Sequence, residues 1–145
     1  MMHHMKTILF FSLSILTTSA MGQVIRKCDT TPLRIISDHM ANPFENEVRD
    51  FLYTFAQECS SNVEYSEWSN ELLFQLLDRH TELMIRTLER EETRLEIDAI
   101  ITDLEYQIAG RVDLKQLVPK IQKIDFRRSL KERIQAALEK AAAAD

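Results

Sequence analysis

Glycine is nearly missing from this chain. Its 145 residues hold two, Gly22 and Gly110, beside three prolines. A β-sandwich or barrel needs turn residues at every hairpin, and tight hairpins draw on glycine for their positive φ. An all-β fold is therefore disfavoured. The same shortage excludes phosphate-cradling loops, since neither G-x-x-x-x-G-K-[ST] nor G-x-G-x-x-G occurs. Histidine is scarce too: beyond His3 and His4 there are only His39 and His80. Cysteine is limited to Cys28 and Cys59. Two cysteines so far apart, with two scattered histidines, give no zinc-ligand spacing. Neither G-x-S-x-G nor H-E-x-x-H is present. A serine triad could draw on His39 beside Asp38 and Ser37, but consecutive residues leave a helix in different directions. The expectation is no metal, no cofactor and no catalytic residue. His80 reads as a histidine at the polar edge of an apolar stripe.

Long apolar runs are absent as well. The longest, Ile8–Leu16, has nine residues and is broken by Ser12 and Ser14. Spanning a bilayer takes roughly 20 residues, so no transmembrane segment is expected. The run does have the order of a secretory leader: Lys6 before it, small and polar residues after it, then Ala20-Met21-Gly22 at the cut. Residues 1–22 are read as a cleaved signal peptide, leaving Gln23 first. Thr18-x-Ala20 is a second cut site, and Met5 is an alternative start. The remainder, 23–145, is read as a single helical domain, long enough to bury its own core. A lipid anchor does not fit, since Cys28 lies well beyond the cut, after Arg26 and Lys27.

Export changes what the cysteines mean. In an oxidising compartment their default is a disulfide. Closing a loop of this length between Cys28 and Cys59 stabilises by about 3–4 kcal/mol in the chain-entropy account.

Charge is uneven. Residues 23–110 carry 18 acidic and 8 basic side chains, and residues 111–145 carry 5 and 9. An acidic body repels phosphate, which speaks against nucleic acid as a partner. The basic last third, densest in KIQKIDFRRSLKER, is expected to fold back onto the acidic helices.

What is present in quantity is the vocabulary of helices. Thr31-Pro32 predicts a cap and a helix from Pro32 to about Met40. Asn42-Pro43-Phe44-Glu45 repeats the device, and Val48, Phe51, Leu52 and Phe55 form an i, i+3, i+4, i+7 stripe ending near Cys59. Ser66 or Ser69 opens the next helix, with Trp68 and Leu73 placed as a hydrophobic staple. Its broad face of Leu72, Leu73, Leu76, Leu77, Leu83, Met84 and Leu88 predicts a central helix. A second stripe, Ile97, Ile100, Ile101, Leu104 and Ile108, lies about a quarter-turn from the first. A bend within Glu89–Arg94 is therefore predicted, and Gly110 as the C-cap that follows. Asp113 caps a helix through Leu114, Leu117 and Ile121, in which Pro119 should kink or restart the chain. Ser129-x-x-Glu132 forms a capping box for a last helix on Leu130, Ile134 and Leu138, with a frayed AAAAD end. The fold class is all-α: a compact bundle of about six mostly antiparallel helices, or else a short α-solenoid-like stack of helix pairs.

Function follows by elimination. The expectation is an exported, non-catalytic helical protein, periplasmic or secreted, that binds another macromolecule, a protein, in the bacterial envelope. An inhibitor or immunity-type partner of a basic protein would suit the acidic body, since opposite fields speed encounter. Tyr65 and Trp68, with Lys120, Lys123, Arg127 and Arg128, are the candidate contact residues. Two alternatives stand beside this. One is a small envelope hydrolase using paired carboxylates, Glu45 with Glu47, Glu91 with Glu92, or Asp98 with Asp103. The other is a purely structural bundle. In polar helices such acids more often form a solvated face, with pairs such as Glu82–Arg86, Arg86–Glu89 and Arg94–Asp98.

Overall fold

Four of the helices begin where a side-chain oxygen accepts an otherwise free amide hydrogen. The computed structural model describes residues 24–144, and the expected leader and its cut lie outside them. Among the described residues there are seven α-helices, one short 3-10 turn and no strand. Helix α1 (Thr30–Asp38) is capped by Asp29, whose carboxylate accepts the Thr31 N–H at 2.9 Å. The start thus falls just before the Thr31-Pro32 signal. Helix α2 (Glu45–Tyr53) has Phe44, not Asn42, at its cap position. Glu47 accepts the Phe44 N–H at 2.9 Å, and the Phe44 carbonyl takes the Glu47 N–H at 3.1 Å. The helix stops at Tyr53, and Cys59 sits instead in a 3-10 turn, Gln57–Ser61. Asn62, rather than Ser66 or Ser69, caps helix α3 (Val63–Arg79) by accepting the Tyr65 N–H at 3.2 Å. The two serine hydroxyls instead donate to the carbonyls of Val63 and Ser66.

The predicted long helix is broken twice. Helix α4 (Thr81–Glu91) ends inside the expected interval, and α5 (Ile97–Leu104) follows a short turn. The second break, at His80, left no Gly or Pro in the sequence. There the Thr81 hydroxyl bonds to the Leu77 carbonyl at 2.7 Å, and His80 Nε2 meets the Met40 carbonyl at 2.7 Å. This ties the break to the end of α1. Gly110 does adopt φ 59, but in the loop beyond α5 rather than at its C-cap. Helix α6 (Leu114–Gln122) runs through Pro119 without a restart, with Asp113 accepting the Lys115 N–H at 3.0 Å. Pro119 falls in the second turn, so at most one helical hydrogen bond is lost. Helix α7 (Arg128–Ala143) starts one residue before Ser129, and Glu132 pairs with Arg128 at 2.8 Å instead of closing a box. Its alanine end stays helical because Ala137 and Ala141 are buried.

The packing order closes on itself. Helix α1 packs on α2, α2 on α4, α4 on α6, α6 on α7, α7 on α5, α5 on α3 and α3 on α1, while α3 and α4 also meet across the middle. A solenoid touches only its sequence neighbours. This ring does not, so the bundle reading holds with seven helices. Inside it, Phe51, Leu73, Leu76, Leu77, Met84, Ile85 and Leu88 are fully buried in one continuous core. Both halves of the stripe read as central do lie in the middle.

Two further expectations are met. Cys28 and Cys59 form a disulfide with Cα atoms 5.4 Å apart, stapling the segment before α1 to the 3-10 turn. The basic last third lies on the acidic body. Lys120 pairs with Asp78 at 2.6 Å, Arg133 with Asp98 at 2.5 Å, Lys140 with Glu105 at 2.5 Å, and Arg127 with Glu92. Arg94 does not reach Asp98; it pairs with Glu91 at 3.8 Å. No helix of the described residues is long and apolar enough to cross a membrane.

Candidate functional site

A buried asparagine marks the site. Asn70 is fully buried on α3, one turn ahead of Leu73 and Phe74 and on the stripe that carries them. An amide there must find partners or cost 1–3 kcal/mol or so. It finds them in the last turn of α5 and on the chain just beyond it. Its Nδ2 donates to the carbonyls of Asp103 (2.9 Å) and Tyr106 (3.0 Å), and its Oδ1 accepts the Ile108 N–H at 3.0 Å. Gln107 adds a second clamp, donating to the Val112 carbonyl at 3.0 Å and accepting the Val112 N–H at 2.7 Å. The loop after α5 is therefore built, not slack. It displays Tyr106 (39% exposed) and Ile108 (46%) on the surface. Ile108, the last member of the second predicted stripe, faces water because α5 has already ended.

Beside this loop lies a cleft of about 240 Å³. Phe55, Ala56 and Cys59 form one wall, Tyr65, Ser66 and Ser69 of α3 another, and Ala99, Thr102 and Asp103 of α5 a third, with Tyr106 at the edge. Asp103 Oδ1 accepts the Tyr106 hydroxyl at 2.8 Å. Its other oxygen, Oδ2, is buried without a hydrogen-bond partner. Burial holds the Asp103 carboxyl up at about 6, and the Tyr106 and Asn70 hydrogen bonds pull the other way. The geometry places Asn70 on main-chain carbonyls, so Tyr106 is the donor that serves the carboxylate itself. Burial, with the Asp103 charge added, pushes the Tyr106 phenol up to about 12. The Tyr65 phenol is raised as well, chiefly by burial.

The sequence-derived candidates fare unequally. Tyr65 is no surface contact: it is 1% exposed, its ring lies edge-on to Phe55, and its hydroxyl is 2.5 Å from the Thr54 hydroxyl. It contributes to the cleft floor. Trp68 is half-buried and packs against the core. Lys120 and Arg127 are exposed but already paired with Asp78 and Glu92. Arg128 is paired with Glu132 on its own helix, and Lys123 is exposed with no ion pair among the described residues. The six are thus not gathered into one patch.

The carboxylate pairs separate too. Glu45 pairs with Arg90, while Glu47 takes the Phe44 N–H and His39 Nδ1 at 2.6 Å. Glu91 is buried and accepts the Tyr53 hydroxyl at 2.6 Å, which raises that phenol; Glu92 meets Arg127. Asp98 faces Arg133, whereas Asp103, five residues on, turns into the cleft. Another hollow of about 170 Å³, between residues 24–25 and helices α1 and α2, has Asp29, Glu47 and Asp50 at its edge. All three are engaged, by the Thr31 N–H, by the Phe44 N–H and His39, and by Arg49. Among the described residues no three His, Cys, Asp or Glu side chains gather as a metal site would require. Comparison with family models, curated proteins and solved structures finds no match to this chain.

Sequence reasoning pairs Asp103 with Asp98, whereas the structure sets it beside Asn70 and Tyr106, neither of which that reasoning singles out. The usable signal was Asn70 itself, a lone amide three and seven residues ahead of Leu73 and Leu77 on a buried stripe.

Proposed function

We propose that this chain is an exported, non-catalytic helical protein that binds a protein partner in the bacterial envelope, with the Asp103 cleft and its loop as the contact. The observation that carries this reading is the loop: a fully buried amide uses three hydrogen bonds to hold the end of α5 and the loop after it, which exposes Tyr106 at the edge of a cleft and Ile108 two residues further on. Structured loops held by a rigid scaffold are where binding residues concentrate, and a pre-formed contact avoids the ordering cost of association. Two features support the accompanying parts. The disulfide is the chemistry of an oxidising compartment. The basic side chains are largely spent inside the molecule, so the excess acid on the rest of the surface favours a basic partner, as an inhibitor or immunity-type protein would have.

The test is capture from envelope extracts on immobilised protein at low and high salt, with a Tyr106→Ala/Ile108→Ser variant as control. One basic protein retained in stoichiometric amount at low salt, and lost from the variant, is the expected result. Equal recovery on both, or none at low salt, refutes the reading.

A further inference from the structure

The cleft has a chemistry more specific than a contact surface requires. Most of its polar groups are acceptors or hydroxyls: the carboxyl of Asp103 and the hydroxyls of Ser66, Ser69 and Thr102, with no lysine, arginine or histidine among its lining. Gln57, Ser60 and the Tyr106 edge add neutral polar groups, and the apolar walls are the rings of Phe55 and Tyr65 with the small Ala56 and Ala99 and the disulfide-bonded Cys59. An anion would meet an uncompensated carboxylate. A neutral apolar guest would leave Oδ2 unpartnered. A cation with a short apolar stem answers both demands, since it supplies donors to the carboxylate and methylenes to the walls, with aromatic faces nearby.

The geometry also chooses between cations. A guanidinium binds a carboxylate best through both oxygens at once. Here Oδ1 already accepts the Tyr106 hydroxyl, and only Oδ2 is unclaimed. One oxygen suits a compact ammonium, whose other N–H groups turn to the hydroxyls around it.

We propose that the Asp103 cleft is a pocket for an alkylammonium group, with Oδ2 of Asp103 as its counter-ion and Phe55, Tyr65 and Ala99 as the wall for its stem. The proposal deepens the binding reading above and rests on it only for the source of the ammonium, a lysine side chain of the partner. Oδ2 is covered in the free fold, so entry requires a side-chain adjustment, and the part-exposed Tyr106 is the residue at the cleft edge placed to make it. The raised proton affinity of Asp103 fits a carboxylate that lacks the donor a ligand would bring.

The probe is n-butylammonium, titrated into the intact oxidised protein at neutral pH and matched ionic strength, with amide spectra read by NMR. A tripeptide with a central lysine and blocked ends forms a second arm, and n-butanol, which has the stem without the charge, forms a third. Saturable shifts confined to the amides around Ser66–Asn70 and Thr102–Ile108 are expected for butylammonium by about 50 mM, and none for butanol. Asp103→Asn should weaken binding at least about tenfold. Tyr106→Phe, which frees Oδ1, should tighten it severalfold. Tighter binding of the tripeptide than of butylammonium assigns the pocket to lysine side chains; weaker or no binding of the tripeptide assigns it to free amines.

Shifts spread over the acidic helices, shifts that persist in Asp103→Asn, or no shift at all would overturn the pocket. Capture of the partner reads separately. If Tyr106→Ala/Ile108→Ser abolishes capture while butylammonium never binds, the loop stands and the cation pocket falls. If butylammonium binds in the cleft while no partner is captured, the pocket stands and the partner reading falls.

Discussion

Breaking the Cys28–Cys59 bridge should cost less than loop closure alone implies, and the structure says by how much. The sequence separation is 31, for which the chain-entropy relation gives about 3.7 kcal/mol at 25 °C. Against this stands Cys28 itself. It has φ 58, the only positive φ among the described non-glycine residues, and the left-handed region costs an L-residue about 1–2 kcal/mol. The bridge and the 2.8 Å bond from the Cys28 N–H to the Thr54 carbonyl hold it there. A Cys28→Ala/Cys59→Ala protein can relax that residue, so the net loss should be about 2–3 kcal/mol. With an unfolding entropy of about 2.1 cal/mol/K per residue over some 120 ordered residues, that is a fall in Tm of about 8–12 °C. Calorimetry on the oxidised protein and the double variant measures it. A Cys28→Gly/Cys59→Ala variant separates the two contributions: glycine keeps this φ and the Thr54 bond without strain, whereas alanine relaxes only by giving that bond up, so the glycine version should melt up to about 4 °C above the alanine version. Intact and double-alanine proteins melting within about 3 °C of one another would refute the reasoning.

Three other outcomes follow from the same structure. Asn70→Ala leaves two part-buried carbonyls and an N–H without their partner, so it should cost about 1–3 kcal/mol in urea unfolding and speed hydrogen exchange at the Ile108 amide. Asp103 has a folded-state pKa of about 6 against 3.8 for the ordinary group, so its ionisation opposes folding: the penalty is fully present above pH 6 and is relieved as pH falls through 6 toward 3.8. Asp103→Asn should therefore raise stability over the parent at pH 7.5 by at most about 3 kcal/mol, with the gap closing near pH 4. Tyr65 and Tyr106 are the titratable groups beside it and do not ionise in that range, so a gap that fails to close would count against the assignment. Removing single exposed ion pairs, by Lys120→Gln or Arg133→Gln, should change stability by less than about 1 kcal/mol, and Tm in 1 M salt should move correspondingly little.

Local patterns carried the fold. Val48, Phe51 and Leu52 stand on one face because periodicity demands it, and the break after Glu91 was legible because Ile97–Leu104 cannot share a face with Leu72–Leu88 on one straight helix. The cysteine pairing needed only a count and a compartment. Helix caps were less legible. Asp29, Asn62 and Asp113 are all ordinary cap residues, but Thr31, Ser66 and Ser69 advertise equally well, and tertiary packing decides among them. His80 shows the same limit. Its break depends on the Met40 carbonyl at the end of another helix, 40 residues away, and nothing near His80 in the chain reports it.

The candidate site was hidden for a deeper reason than the caps. It is assembled from residues 55–60, 65–69 and 99–106, brought together only when α3 packs on α5. No stretch of it has a motif, because its working parts are single residues on separate elements. What the sequence did contain was a contradiction: an amide on a stripe whose other members are Leu and Phe. Natural sequences keep local choice and global fold in agreement, and exceptions gather at sites that do something. Asn70 is such an exception, and its three hydrogen bonds show where it leads. One goes to the Asp103 carbonyl in the last turn of α5, and two go to the loop that displays exposed apolar side chains beside an unpartnered carboxylate oxygen. A core asparagine needed only for packing could have been a leucine, so the loop's shape is what the amide maintains.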